Sequence, residues 1–187
     1  MGYEIKDDYD AILIQNLALV QLLYTLHKSN FVNSEYYDKL KFDGFNLKNV
    51  LSEVGINNSS TLILMLFLLL MNVKELQAKE ADLDLETINA FIRSNIISLS
   101  CDSETFNFKV DFAKFIRNSI AHYNTTFKQI DGKTEVFFRS RISVSVQRKN
   151  TSRNITISLM SDKVGELIDL LFNQINIYLY NKYTINY

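Results

Sequence analysis

The feature that most limits the fold is a change of hydrophobic period near residue 124. Before it, apolar residues recur every three to four positions, as on an amphipathic helix. After it they alternate, as on a strand with one buried face. Helical spacing returns beyond Ser161. A chain written this way packs helices first, adds an antiparallel β segment, and closes with one more helix. The predicted fold class is therefore mainly α: a helical bundle with a small antiparallel β-hairpin insertion before the C-terminal helix. With 187 residues, one domain accounts for the whole chain, helical over 1–123, β over about 125–160 and helical again over about 162–182. No repeat, low-complexity tract or linker interrupts it.

The individual elements can be read in order. Asp8 to Lys28 is a helix with Ile12, Leu13, Leu17, Val20, Leu23, Tyr24 and Leu26 at helical spacing. Asn30 to Phe45 is a polar, aromatic connection with turn signals at Asn33-Ser34 and Asp43-Gly44. A short helix over Asn46 to Val54 stops at Gly55. Asn58-Ser59-Ser60 caps a long helix running to about Ala81. Its first half, Leu62 to Met71, is apolar all round and calls for helices on every side. Extended to Val73 this run falls short of the ~20 residues a membrane span needs, so it reads as core. Asp84 to Ser100 is a further helix, and another starts at Ser103 or Glu104 and ends near Tyr123.

In TTFKQIDGKTEVFFRS, Asp131-Gly132 sits between two alternating runs, a hairpin signal. RISVSVQ and NITISLM alternate as strands, joined by a basic turn from Arg148 to Arg153. Ser161 or Asp162 caps the last helix, Val164 to about Tyr180.

Bulk properties exclude several function classes. The net charge of −1 provides no global field for nucleic acid, so any polyanion site must be a local patch. The single cysteine, Cys101, excludes an internal disulfide and a multi-cysteine metal site. It reads as a structural thiol at a helix end, and the chain suits a reducing compartment. Residues 1–10 are charged and polar, with Asp7, Asp8 and Asp10 where a secretory signal would carry lysine. The expectation is a cytoplasmic protein with no membrane partner.

The stretch FAKFIRNSIAHYN, Phe112 to Asn124, carries the chemistry. On a helical wheel Phe112, Ala113, Phe115, Ile116 and Ile120 form the core face. Arg117, Ala121, Lys114, Asn118, Asp111 and His122 form the opposite arc. Arg117 and His122 lie roughly 140° apart and bracket that arc. Asn118 and His122 are an i, i+4 pair, so the carboxamide can fix the imidazole's orientation and tautomer. The alternative is a solvated face whose histidine favours the helix C-terminus.

The string FIRNSIAHYN, in the penultimate helix of a small bundle, resembles the HEPN family of ribonucleases and nucleotide-binding proteins. That family's signature is R-x4-6-H, often with Asn, Asp or His after the arginine. Arg117, Asn118 and His122 match it, and Phe112 and Phe115-Ile116 match the apolar lead-in. The β segments and closing helix are similar to those of members with strands after the motif. The specific match spans about a dozen residues. In the subfamily paired with minimal nucleotidyltransferase antitoxins, a tyrosine follows the histidine by two positions. Here Tyr123 follows by one and Asn124 takes the second place, so that mode of regulation is not implied.

The resemblance implies a metal-independent RNA endonuclease serving as a toxin or phage-defence effector, with no cofactor. An antitoxin or other regulatory protein would be a partner. The residues suit the chemistry. His122 can take the 2′-OH proton, and the planar Arg117 fork can hold the charge that develops on phosphorus. Asn118 would orient one or the other. The products would be a 2′,3′-cyclic phosphate and a 5′-OH. One chain lacks a general acid for the leaving oxygen. The resemblance implies that two copies pool their motifs, so a homodimer through this helix is expected. Lys114, Tyr123, Arg148, Lys149 and Arg153 are the candidate RNA contacts, within a wider basic set that includes Arg139 and Arg141. Two alternatives stay open: a non-catalytic HEPN-like module that binds a nucleotide or protein, and a helical interaction protein with a chance motif.

Overall fold

The computed structural model describes residues 8–43, 46–78, 84–102, 110–146 and 149–184. Seven α-helices and four strands are described in the order α1 (Asp8–Lys28), α2 (Glu35–Lys39), α3 (Leu47–Val54), α4 (Ser59–Ala78), α5 (Leu85–Ser94), β1 (Ser98–Cys101), α6 (Phe112–Ala121), β2 (Thr125–Ile130), β3 (Lys133–Val146), β4 (Lys149–Met160) and α7 (Ser161–Thr184). The chain is mainly α with one antiparallel sheet in the order β1-β4-β3-β2.

α4 is the spine of the core. Leu66 and Leu69 are fully buried, and Met65, Leu70 and Val73 nearly so. α1, α6 and α7 pack against it. They do not enclose it completely. Leu64 and Met71 on α4 remain nearly half exposed, which corrects the expectation of helices on every side. Asn58 caps α4 as its side chain predicts, accepting the Thr61 N–H at 3.0 Å. Gly55 ends α3 at φ +71°, a conformation a Cβ would disfavour.

α1 and α7 are pinned together at the ends of the chain. The Asp10 carboxylate, fully buried, accepts from the Lys182 ammonium, from the Tyr183 hydroxyl at 2.7 Å and from the Tyr178 hydroxyl at 3.3 Å. Among the described residues, α1 alone is a single helix long and apolar enough to cross a membrane by length and composition. Its Leu13, Leu17 and Val20 belong to the same buried cluster as α4 and α7.

The sheet is larger than the predicted hairpin, and two expectations need correcting. The helix predicted over Asp84 to Ser100 stops at Ser94, and Ser98–Cys101 is the edge strand β1. Asn95 ends the helix, its side chain donating back to the Phe91 carbonyl at 2.8 Å. Ser98 to Cys101 then pairs along β4, with Ser98 opposite Ser158 and Cys101 opposite Ile155. Cys101 is thus in a strand and not at a helix end.

The basic turn predicted over Arg148 to Arg153 is mostly strand. Val146 pairs with Lys149 and Ile142 with Arg153, so Lys149 to Arg153 belong to β4. The β-branched and alternating residues on both sides extend the ladder further than the cluster of polar residues suggested. At the other hairpin, Asp131 (φ +50°) and Gly132 (φ +75°) make the expected tight turn. The connection expected over Asn30 to Phe45 contains a 3-10 turn at Phe31–Asn33 and the short helix α2, which Ser34 caps.

Candidate active site

α6 is built to present one polar face. Phe112, Ala113, Phe115 and Ile116 are buried, as the wheel requires. Two side chains satisfy its first turn: Asp111 accepts the Lys114 N–H at 3.1 Å, and Asn89 of α5 accepts the Ala113 N–H at 3.0 Å. The helix begins at Phe112. Val110 and Asp111 precede it outside any helix, and the predicted start at Ser103 or Glu104 lies outside the described residues.

The C-terminal end holds the motif. The His122 N–H bonds the Asn118 carbonyl at 3.1 Å, the Tyr123 N–H bonds Ile120 at 3.0 Å, and the Asn124 N–H bonds Ser119 at 2.8 Å. The last two bonds form a Schellman closure, with the residue after the cap in the left-handed region. That residue is Tyr123 at φ +55°, where glycine is usual. Its ring is 95% exposed.

The turn is also fixed from below. Ser119 is fully buried. Its hydroxyl donates to the Asn124 carbonyl at 2.9 Å and accepts the Arg139 N–H of β3 at 2.9 Å. Ser119 is the positioning residue that sequence reasoning passed over. A serine on the core arc of the wheel was its signal, because a buried hydroxyl must find partners.

The motif side chains are arranged differently from the expectation. Asn118 does not hold His122. Its Oδ1 accepts from Arg117, at 2.8 Å from Nη2 and 3.3 Å from Nε. The charged fork outcompetes imidazole for the same acceptor, since charge-assisted bonds are about twice as strong as neutral ones. The His122 imidazole is exposed and has no side-chain partner among the described residues. Arg117 is half-buried and pairs with no carboxylate there. It borders a small hollow with Leu70 and Val73 of α4 and Leu85 of α5. A single chain therefore does not bring Arg117 and His122 to one pocket.

The other candidates scatter. Lys114 is exposed on the first turn of α6, beside Asn118. Arg148 lies outside the described residues. Lys149 opens β4 opposite Val146. Arg153 is inside β4 and partly buried, not at a hairpin tip as expected, because the ladder continues past it. Among the described residues, no group of three or more His, Cys, Asp or Glu gathers to hold a metal ion.

No protein-family model matches the chain, and no curated protein or solved structure matches it significantly.

Proposed function

We propose that this protein is a HEPN-type RNA endonuclease, working without a metal ion in the cytoplasm as a toxin or phage-defence effector. The observation that carries the reading is the state of the two motif side chains. Among the described residues, the Arg117 guanidinium on α6 has no carboxylate partner and is held by Asn118, and the His122 imidazole at the C-cap is unpartnered. Cations without acidic partners are free to meet phosphate, and a free imidazole is free to move a proton. Because they are separate within one chain, the proposed reaction requires a composite site. Two copies related by a two-fold axis would supply two of each, so that one histidine acts as base and the other as acid.

Purified protein incubated with RNA in EDTA tests this. Expected are 2′,3′-cyclic phosphate ends, a dimeric mass in solution, and loss of cleavage by at least a hundredfold in Arg117→Ala and in His122→Ala. Undiminished cleavage by either variant would rule out the site.

One observation favours a second reading. Asn118 and Lys114 border a groove that His122 does not line. A non-catalytic module holding a nucleotide on that groove would bind RNA or nucleotide in EDTA and yield no cyclic-phosphate ends.

A further inference from the structure

The groove lies between α6 and β3 and has a volume of about 400 Å3. That is in the range of small-ligand sites, about 300–1,000 Å3. Its apolar lining is the partly exposed Ile142 together with Val110 and Phe115, which are almost wholly buried. Its polar rim has Lys114 and Asn118 from α6 and Arg141 from β3. Lys114 and Arg141 are exposed, and neither ammonium nor guanidinium meets a carboxylate among the described residues. One acid, Asp111, also borders the groove. Its carboxylate is engaged as the helix cap on the Lys114 N–H. Two cations thus face one capped carboxylate, in a chain whose net charge is −1.

This combination fits one chemical class. An apolar wall accepts the face of a base, and paired cations at its rim accept a phosphate. Asn118 belongs to both places. Its Oδ1 holds Arg117, while the residue borders the groove. A nucleotide in the groove would be separated by Asn118 from the arginine that the proposed reaction uses, which faces the α4–α5 hollow. We infer that the α6–β3 groove is a subsite for the nucleotide adjoining the scissile phosphate of single-stranded RNA, with Lys114 and Arg141 holding its phosphate and the partly exposed Ile142 meeting its base. The inference rests on the endonuclease reading for the word scissile; the binding it describes does not depend on cleavage.

The test measures binding and cleavage separately. Fluorescence anisotropy follows a labelled short single-stranded RNA in EDTA across a salt series, with wild type, Arg141→Gln, Lys114→Gln and the remote surface variant Lys39→Gln. Expected is about tenfold weaker binding in each groove variant. The log–log salt slope should fall by about 0.7 per lost phosphate contact, with Lys39→Gln unchanged. Wild-type affinity and slope in both groove variants, or no RNA binding by the wild type, would overturn the subsite. The same samples are scored for cyclic-phosphate ends. Binding lost in the groove variants with no cleavage by any protein upholds the subsite and sinks the nuclease. Cleavage that needs His122 but is indifferent to Lys114 and Arg141 at limiting RNA does the reverse.

Discussion

Replacing Lys182 with methionine should cost more stability than replacing its partner Asp10 with asparagine. The asymmetry follows from burial. The Asp10 side chain is 0% exposed and that of Lys182 is 36% exposed. Lys182→Met leaves a carboxylate sealed in the core with two tyrosine hydroxyls and no cation. Breaking a buried pair in this way costs about 3–5 kcal/mol. Partial exposure of the ammonium weakens the pair, so about 2–3 kcal/mol is expected here. That corresponds to a Tm lower by roughly 4–12 °C for a chain of this size. Asp10→Asn leaves no buried charge, because the ammonium can turn to water and the tyrosine hydroxyls can reorient to the amide. Its cost should be that of weakened hydrogen bonds, about 1–2 kcal/mol. The double variant should lose less than the sum of the two.

The pH dependence has a definite sign. Burial pulls the Lys182 ammonium down, but the hydrogen bonds and charge of Asp10 and Tyr178 outweigh it and hold its pKa above the ordinary lysine range. A raised folded pKa gives stability that is complete below the unfolded value, about 10.4, and that is lost as pH climbs through the folded one. The Tm gap between wild type and Lys182→Met should stay constant through the neutral range and close only in strong alkali. Differential scanning calorimetry of the three variants checks both points. If Asp10→Asn proves the costlier single change, or Lys182→Met costs under about 1 kcal/mol, the reasoning from burial is wrong.

Two further outcomes concern the end of α6. Tyr123→Gly should raise stability by about 0.5–1 kcal/mol, since glycine relieves the left-handed backbone, and should weaken RNA binding through loss of the exposed ring; a lower Tm would refute the strain. Ser119→Ala should cost only about 1 kcal/mol, because the Arg139 N–H and the Asn124 carbonyl it serves also bond each other at 3.0 Å and neither is orphaned; thermal unfolding showing a loss above about 3 kcal/mol would mean that they do not.

What the sequence revealed depended on how local the deciding interaction was. α1 runs from Asp8 to Lys28 as its spacing predicts, and the Asp131-Gly132 hairpin turns where expected, because period and turn chemistry are written within a few residues. β1 was hidden. Ile96-Ile97-Ser98-Leu99 fits a helix face as well as a strand, and its partner β4 lies more than fifty residues away. The α6 polar face was legible, but the partner of Asn118 was not. Both Arg117 and His122 are within its reach, and the competition is settled by charge. The helix end was legible to within two residues, expected near Tyr123 and found at Ala121, but no glycine marked the left-handed conformation of Tyr123. Arg141 could be seen as a basic residue, but not as the wall opposite Lys114, since only the packing of β3 on α6 makes them neighbours.

These placements constrain how the proposed composite site would be assembled. Within one chain, four residues of helix lie between Arg117 and His122, a rise of roughly 7.5 Å along the axis and 140° around it. Arg117 leans toward the α4–α5 side, and His122 stands at the C-cap. The backbone between them is held in place, because the Schellman turn is bonded to both Ser119 and β3. In the proposed dimer a second copy would approach over the exposed surface between them, where Ala121 offers the least bulk. An axis passing there would set the His122 imidazole of one copy against the Arg117 guanidinium of the other. It would also leave the α6–β3 grooves on the outer flanks, one per subunit, so that RNA would enter over a groove before reaching the shared centre. In this arrangement the helix supplies reacting groups at its C-terminal end and phosphate grip at its N-terminal end. The rigid turn at Tyr123 and the capped first turn at Asp111 would keep that division fixed.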